Sequence, residues 1–162
     1  MEVRGNDGKN EMMLRKMEEA DVKGVTNLEQ ECFSDAWSEN LVRDLLTGSF
    51  DEVWVLVCPS GMIAGYINIR FLAGEGELMR IAVKPEYRGN GYSKILMDRM
   101  MQSSGEQEAP DLTLEVRAGN TPAIRLYESY GFVAEAVRKG YYHNPTEDAL
   151  IMWRRGLPVI PT

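Results

Sequence analysis

The sequence predicts a single α/β domain in which one mixed sheet of about six to seven strands is flanked by about four helices. Three observations carry that prediction. The apolar period switches repeatedly between the 3.6 of a helix and the 2 of a strand. In chain order the switches read β-α-α-β-β-β-α-β-α-β-β. The 162 residues, with neither internal repeats nor low-complexity linkers, are close to the roughly 150 of one domain. A chain of this length buries about two-thirds of its unfolded surface and needs no metal or disulfide staple.

Each element has its own signal. Residues 1–11 are polar and rich in Gly, Asn and Asp, and read as a flexible leader. Residues 12–156 are then the domain, and 157–162 a C-terminal tail. MMLRKM (12–17) reads as a first strand. From Asp21 the apolar positions Val22, Val25, Leu28 and Cys32 recur at helical spacing. Ser38 suits the cap of a second helix carrying Leu41, Val42, Leu45 and Leu46 on one face. VWVLVC (53–58), the turn Pro59-Ser60-Gly61 and MIAGYINIRFL (62–72) read as a β-hairpin. ELMRIAV (77–83) is the next strand, ended by Pro85. A glycine-bearing loop then leads into a helix over 92–102, with Tyr92, Ile95, Leu96 and Met100 as its buried stripe. LTLEV (112–116) is a strand. Thr121-Pro122 opens a helix that runs to Tyr130, with Gly131 past its end. FVAEAVRKGYY and DALIMWR close the chain as strands.

Composition excludes several classes of function. Asp and Glu number 25 against 18 Lys and Arg, for a net charge of −7, which argues against a general nucleic-acid surface. No apolar run approaches the roughly 18 residues of a membrane span, and the polar N-terminus is no signal peptide, so the protein reads as cytoplasmic. Cys32 and Cys58 read as buried apolar filler, and His143 is the sole histidine, so no zinc spacing or His-assisted nucleophile can be built.

The chemistry-bearing segment runs from Ile81-Ala82-Val83 through Arg88-Gly89-Asn90-Gly91-Tyr92-Ser93 into the following helix. Glycines let successive N–H groups converge, and a helix N-terminus adds about half a positive charge. That is a cradle for a pyrophosphate. A G-x-G alone also suits a plain tight turn, and spacing favours that blander reading. No Gly-Lys-Ser/Thr follows, and the spacing is not that of a dinucleotide fold. In LEV, Glu115 takes the strand face opposite Leu114 and Val116. By pattern alone it is a solvated residue pairing with Arg117, and Tyr127 is a core tyrosine.

A longer set of residues resembles a known family. They are Ala36-Trp37-Ser38-Glu39, Ile81-Ala82-Val83-x-Pro-x-Tyr-Arg-x-x-Gly91, Leu114-Glu115-Val116-Arg117-Ala118-x-Asn120, Leu126-Tyr127-Glu128-x-x-Gly131-Phe132, Tyr141-Tyr142 and Glu147-Asp148-Ala149. Together they resemble the GCN5-related N-acetyltransferase (GNAT) superfamily, and more narrowly its RimI-type ribosomal-protein-alanine N-acetyltransferases. The resemblance implies the GNAT fold, with acetyl-CoA in a splay between the IAV and LEV strands. It implies that the backbone of Ile81, Ala82 and Val83 binds the pantetheine. The pyrophosphate would rest on Arg88, Gly89, Asn90, Gly91, Tyr92, Ser93 and Lys94, and Asn120 would contact the cofactor arm.

It further implies direct attack of an amine on the thioester, with Glu115 as general base, Tyr127 as general acid, and no metal. Trp37 and Tyr142 would line the acceptor groove. The implied partner is a basic protein N-terminus such as that of a ribosomal protein, without direct contact to nucleic acid or membrane. A small-amine acetyltransferase and an inactive acyl-CoA-binding module are the alternatives. The chain departs from the pattern at Ser93 (usually Gly or Ala), at Ala36 (often Pro) and at Arg80, where RimI-type proteins tend to carry Asn. The last two fall on the acceptor side.

Overall fold

The alternation of periods produces the expected mixed sheet. The computed structural model describes residues 2–4, as backbone, and 11–156. Its elements are β1 (Glu2–Arg4), β2 (Glu11–Lys16), α1 (Val22–Cys32), α2 (Glu39–Asp44), β3 (Asp51–Val57), β4 (Ile63–Leu72), β5 (Glu75–Val83), α3 (Tyr92–Glu106), β6 (Asp111–Arg117), α4 (Thr121–Ser129), β7 (Val133–Tyr142) and β8 (Glu147–Arg154). The strand order is β1-β2-β3-β4-β5-β6-β8-β7. Within the polar leader, Glu2–Arg4 pairs antiparallel with β2, Val3 opposite Met12, adding a short eighth strand. The rest of residues 1–10 and the tail 157–162 lie outside the described residues.

Two compact units divide the chain. The first is Met1–Arg70 with Met79–Met100. Here β2, β3 and β4 pair antiparallel. Val25, Leu28, Val42, Val55 and Tyr66 form its apolar core, each at 2% exposure or less. Burial of each such side chain contributes about 1.5–3 kcal/mol. Ser38 caps α2 as expected, its side chain accepting from the Leu41 N–H at 3.2 Å. Leu41 itself is 53% exposed, a correction to the expected stripe: α2 lasts under two turns and turns Val42 inward, while Leu45 and Leu46, just past its end, pack partly buried against the same core. In α3, Tyr92, Leu96, Met97 and Met100 are buried, while Ile95 sits at the margin of the stripe.

The second unit is Phe71–Leu78 with Met101–Thr162. Its parallel ladder joins Glu75–Leu78 to Asp111–Leu114, and β8 pairs antiparallel with both β6 and β7. Strand β6 alternates strictly: Leu112, Leu114 and Val116 are buried and the residues between them are not. Asn120 caps α4, Pro122 lies in its first turn, and Gly131 after it takes φ +90°. A left-handed residue there closes the helix.

Candidate active site

In the first unit, β5 ends in Ile81-Ala82-Val83, with Ala82 and Val83 buried. Gly65 on β4 lies so close to β5 that a Cβ would stand 2.8 Å from the Ala82 carbonyl oxygen. Beyond Pro85–Tyr87, Gly89 and Gly91 adopt φ +83° and +81°. Glycine reaches that region at little steric cost. A Cβ at Gly89 would meet nothing within 4 Å, so the loop is open on that side.

The Asn90 amide donates to the Tyr87 and Arg88 carbonyls at 3.0 and 3.4 Å, tying those acceptors into the loop. Arg88 donates through Nε to the Val83 carbonyl (3.0 Å) and touches the Cys32 sulfur at 3.4 Å. The first turn of α3, at Tyr92, Ser93 and Lys94, follows directly. The Lys94 N–H donates to the Gly91 carbonyl at 3.2 Å, and the N-terminal end of such a helix carries about half a positive charge. Open glycine backbone, an arginine and a helix N-terminus together fit the phosphates of an acyl-CoA.

Cys32 departs from the expected apolar filler. It is only half buried, and its thiol lies 3.7 Å from the Val83 carbonyl oxygen. Burial pushes this thiol up, and Arg88 only partly offsets that.

In the second unit, Glu115 stands one residue past the end of the β5–β6 ladder, opposite Ile151 of β8. The carboxylate is 3.5 Å from Arg138 Nη1, and the Tyr141 side chain hydrogen-bonds to it. That bond, followed by burial, raises the Tyr141 pKa. Arg117 does not pair with Glu115 as spacing suggested. It bonds the His143 and Pro145 carbonyls (3.0 and 2.9 Å), faces Glu147 at 3.4 Å and lies 4.6 Å from the Tyr142 ring centre. The long guanidinium reaches past its strand into the β7–β8 connection.

Tyr127 is buried, its ring edge-on to Phe132 at 6.2 Å. Burial, then the neighbouring Tyr142, pushes its hydroxyl well above the ordinary tyrosine range, so it is protonated at neutral pH. Asn120 accepts from the Ala123 N–H at 3.3 Å, so its oxygen serves the helix cap.

Trp37, in the first unit, gives its N–H to Glu29 at 2.8 Å. Sequence reasoning missed Arg138 at Glu115 and Glu29 at Trp37, and it named Tyr141 and Arg80 without setting them against these groups. Among the described residues no cluster of His, Cys, Asp and Glu could hold a metal ion. No helix among them is long and apolar enough to cross a membrane.

Residues 22–132 match the acetyltransferase (GNAT) family. A Bacillus subtilis protein provisionally named as a ribosomal protein bS18-alanine N-acetyltransferase is 33% identical over 146 residues, covering 90% of this chain and 96% of its own. The Escherichia coli (strain K12) bS18-alanine N-acetyltransferase is 30% identical over 143 residues, 86% of this chain and 94% of its own. The crystal structure of the ribosomal-protein-S18-alanine N-acetyltransferase from Escherichia coli superposes with a TM-score of 0.82 at 28% identity, covering 93% of this chain and 96% of that one. The chain belongs to the acetyltransferase (GNAT) family and is an acetyl-CoA-dependent N-acetyltransferase.

Proposed function

We propose that this enzyme acetylates the N-terminal α-amine of a protein, and that its acceptor is an N-terminal alanine of a ribosomal protein of the bS18 type. The observation that carries the reading is similarity over nearly the whole length of relatives named for that acceptor. A net charge of −7 complements a basic ribosomal protein.

Acetyl-CoA, when bound, supplies a thioester carbonyl that a free amine can attack. In this proposal the chain manages two protons. An α-amine has a pKa of about 7.7–8.0 and is mostly protonated at neutral pH, so a base is needed. Glu115 is that base in this reading, directly or through one water; the 24% exposure its side chain keeps beside Arg138 and Tyr141 supports the role. Tyr127 keeps its proton at neutral pH and can yield it to the departing thiolate. Backbone groups of Ile81, Ala82 and Val83 bind the pantetheine, Asn120 the cofactor arm, and the Arg88–Lys94 loop the pyrophosphate. Trp37 and Tyr142 line the groove for the acceptor peptide.

Release of free CoA thiol, measured with a basic alanine-initiated peptide and with its N-terminally blocked form, tests the reading. The free peptide is expected to react and the blocked one not to. Equal rates for both would exclude α-amine transfer, and turnover of small amines in preference to peptides would exclude a protein acceptor.

A further inference from the structure

The segment from Phe33 to Ser38, which carries Trp37, has no helix or strand to hold it. It is held instead by side chains of the first unit. Glu29 is fully buried and accepts from the Tyr66 hydroxyl, from the Trp37 N–H at 2.8 Å and from Arg80 Nη2 at 3.0 Å. The same Arg80 nitrogen donates to the Asp35 carbonyl at 3.0 Å. Its guanidinium lies 4.0 Å from the Phe33 ring centre and 4.6 Å from that of Trp37. Arg80 therefore meets Glu29, Phe33, Asp35 and Trp37 at once, from the residue just before Ile81.

A planar guanidinium can lie flat against two aromatic rings while its fork bonds two acceptors at the edge; an ammonium is a compact point charge without that plane or fork, and an asparagine has neither the reach nor the charge. We propose that Arg80 is a positioning residue that clamps the Phe33–Ser38 segment onto β5 and so sets the binding of the acceptor peptide. This rests on the reading above, in which Trp37 lines the acceptor groove. It makes Arg80 a determinant of which peptides are accepted. The contacts of Arg80 go to the segment that carries Trp37, to its support Glu29 and to the Tyr66 hydroxyl that Glu29 also binds, so the clamp is expected to act on the acceptor and not on acetyl-CoA.

The test compares Arg80→Asn and Arg80→Lys with the unmodified enzyme. Hydrogen exchange is followed at the Trp37 amide in ligand-free protein, and KM is measured separately for peptide and acetyl-CoA. In Arg80→Asn the Trp37 amide is expected to exchange about tenfold faster or more, because its acceptor Glu29 loses the arginine that fixes it. Peptide KM should rise about tenfold, with kcat and the KM for acetyl-CoA within about twofold. Arg80→Lys keeps a cation beside Glu29 and should fold, yet its exchange should fall between the two.

Unchanged Trp37 exchange in either folded variant overturns the proposal. So does a loss confined to kcat, or faster exchange with peptide KM unaltered. Should Arg80→Asn fail to fold, Arg80→Lys decides on the same readouts. If the unmodified enzyme acetylates no peptide, the functional reading fails, while the exchange measurement still decides whether Arg80 holds the segment.

Discussion

Glu29 and Glu115 carry the same carboxylate in different surroundings. Glu29 is fully buried and accepts from a tyrosine hydroxyl, a backbone N–H and an arginine whose own side chain is 13% exposed. Glu115 keeps 24% of its side chain exposed, and its arginine, Arg138, is 57% exposed. A carboxylate saturated with fixed donors in the interior is held in one position, which suits a scaffold. One with partial solvent access and an exposed counter-ion is open to the solvent with which a base exchanges its proton. Burial and the number of fixed donors, rather than residue type, separate the two.

The largest expected effect tests the second half of that contrast. Glu115→Gln should lower turnover by roughly 10²–10⁴-fold while the thermal midpoint stays near that of the parent enzyme. Near-normal turnover in the folded variant would remove Glu115 from the chemistry. Tyr127→Phe keeps the ring against Phe132 and removes only the hydroxyl. It should lower turnover within the same 10²–10⁴ range if that hydroxyl is the acid. Retained turnover would leave Tyr127 as core packing alone.

The first half of the contrast is tested through stability. Glu29→Ala strands Arg80 and leaves the Tyr66 hydroxyl and the Trp37 N–H without their acceptor. Breaking a buried pair in this way costs about 3–5 kcal/mol, readable from the denaturation midpoint. A variant as stable as the parent would mean that water enters and replaces the carboxylate.

Much of this contrast was legible in the sequence, but only on one side of each contact. Strict alternation in β6 placed Glu115 opposite Leu114 and Val116, and the Thr121-Pro122 start placed α4 and therefore Tyr127. The partners were not legible. Arg80 and Glu29 lie 51 residues apart, and no local period links them. On β7 the register shifts between Ala134 and Ala136 and again between Arg138 and Tyr142. Gly140 at φ +59° lies within the second shift. Nearly every residue of β7 is exposed, so no apolar alternation marks which side chains face Glu115. A bulge re-aims side chains without leaving a hydrophobic signature. Arg117 misled for a related reason: two residues along a strand predicts a shared face, but the guanidinium outreaches it to Glu147.

Alkaline titration gives a smaller effect in both units. Burial, and then the charge of Glu29, pushes the Tyr66 hydroxyl far above its ordinary value; burial and then Tyr142 does the same for Tyr127. A raised folded pKa means that the stabilisation is fully present below the unfolded value near pH 10 and is lost as pH rises beyond it. Stability should therefore hold to about pH 10 and then fall by up to about 1.4 kcal/mol per pH unit per tyrosine. The fall should be shallower in Tyr127→Phe, and an unchanged slope in that variant would show that its hydroxyl ionises as freely folded as unfolded.

The smallest effect is the most discriminating, because it concerns the exposed ion pair itself. Arg138 lies 3.5 Å from Glu115 across a half-solvated gap, and such pairs contribute about 0–1 kcal/mol. Arg138→Gln should leave the denaturation midpoint almost unmoved, unlike Glu29→Ala. Salt should act the same way, since screening weakens exposed pairs far more than buried ones. Raising ionic strength should alter turnover of the parent more than that of Arg138→Gln, while stability carried by Glu29 stays level. If Arg138→Gln instead destabilised the fold as much as Glu29→Ala does, the Glu115 pair would be scaffold too, and exposure would not separate the two carboxylates.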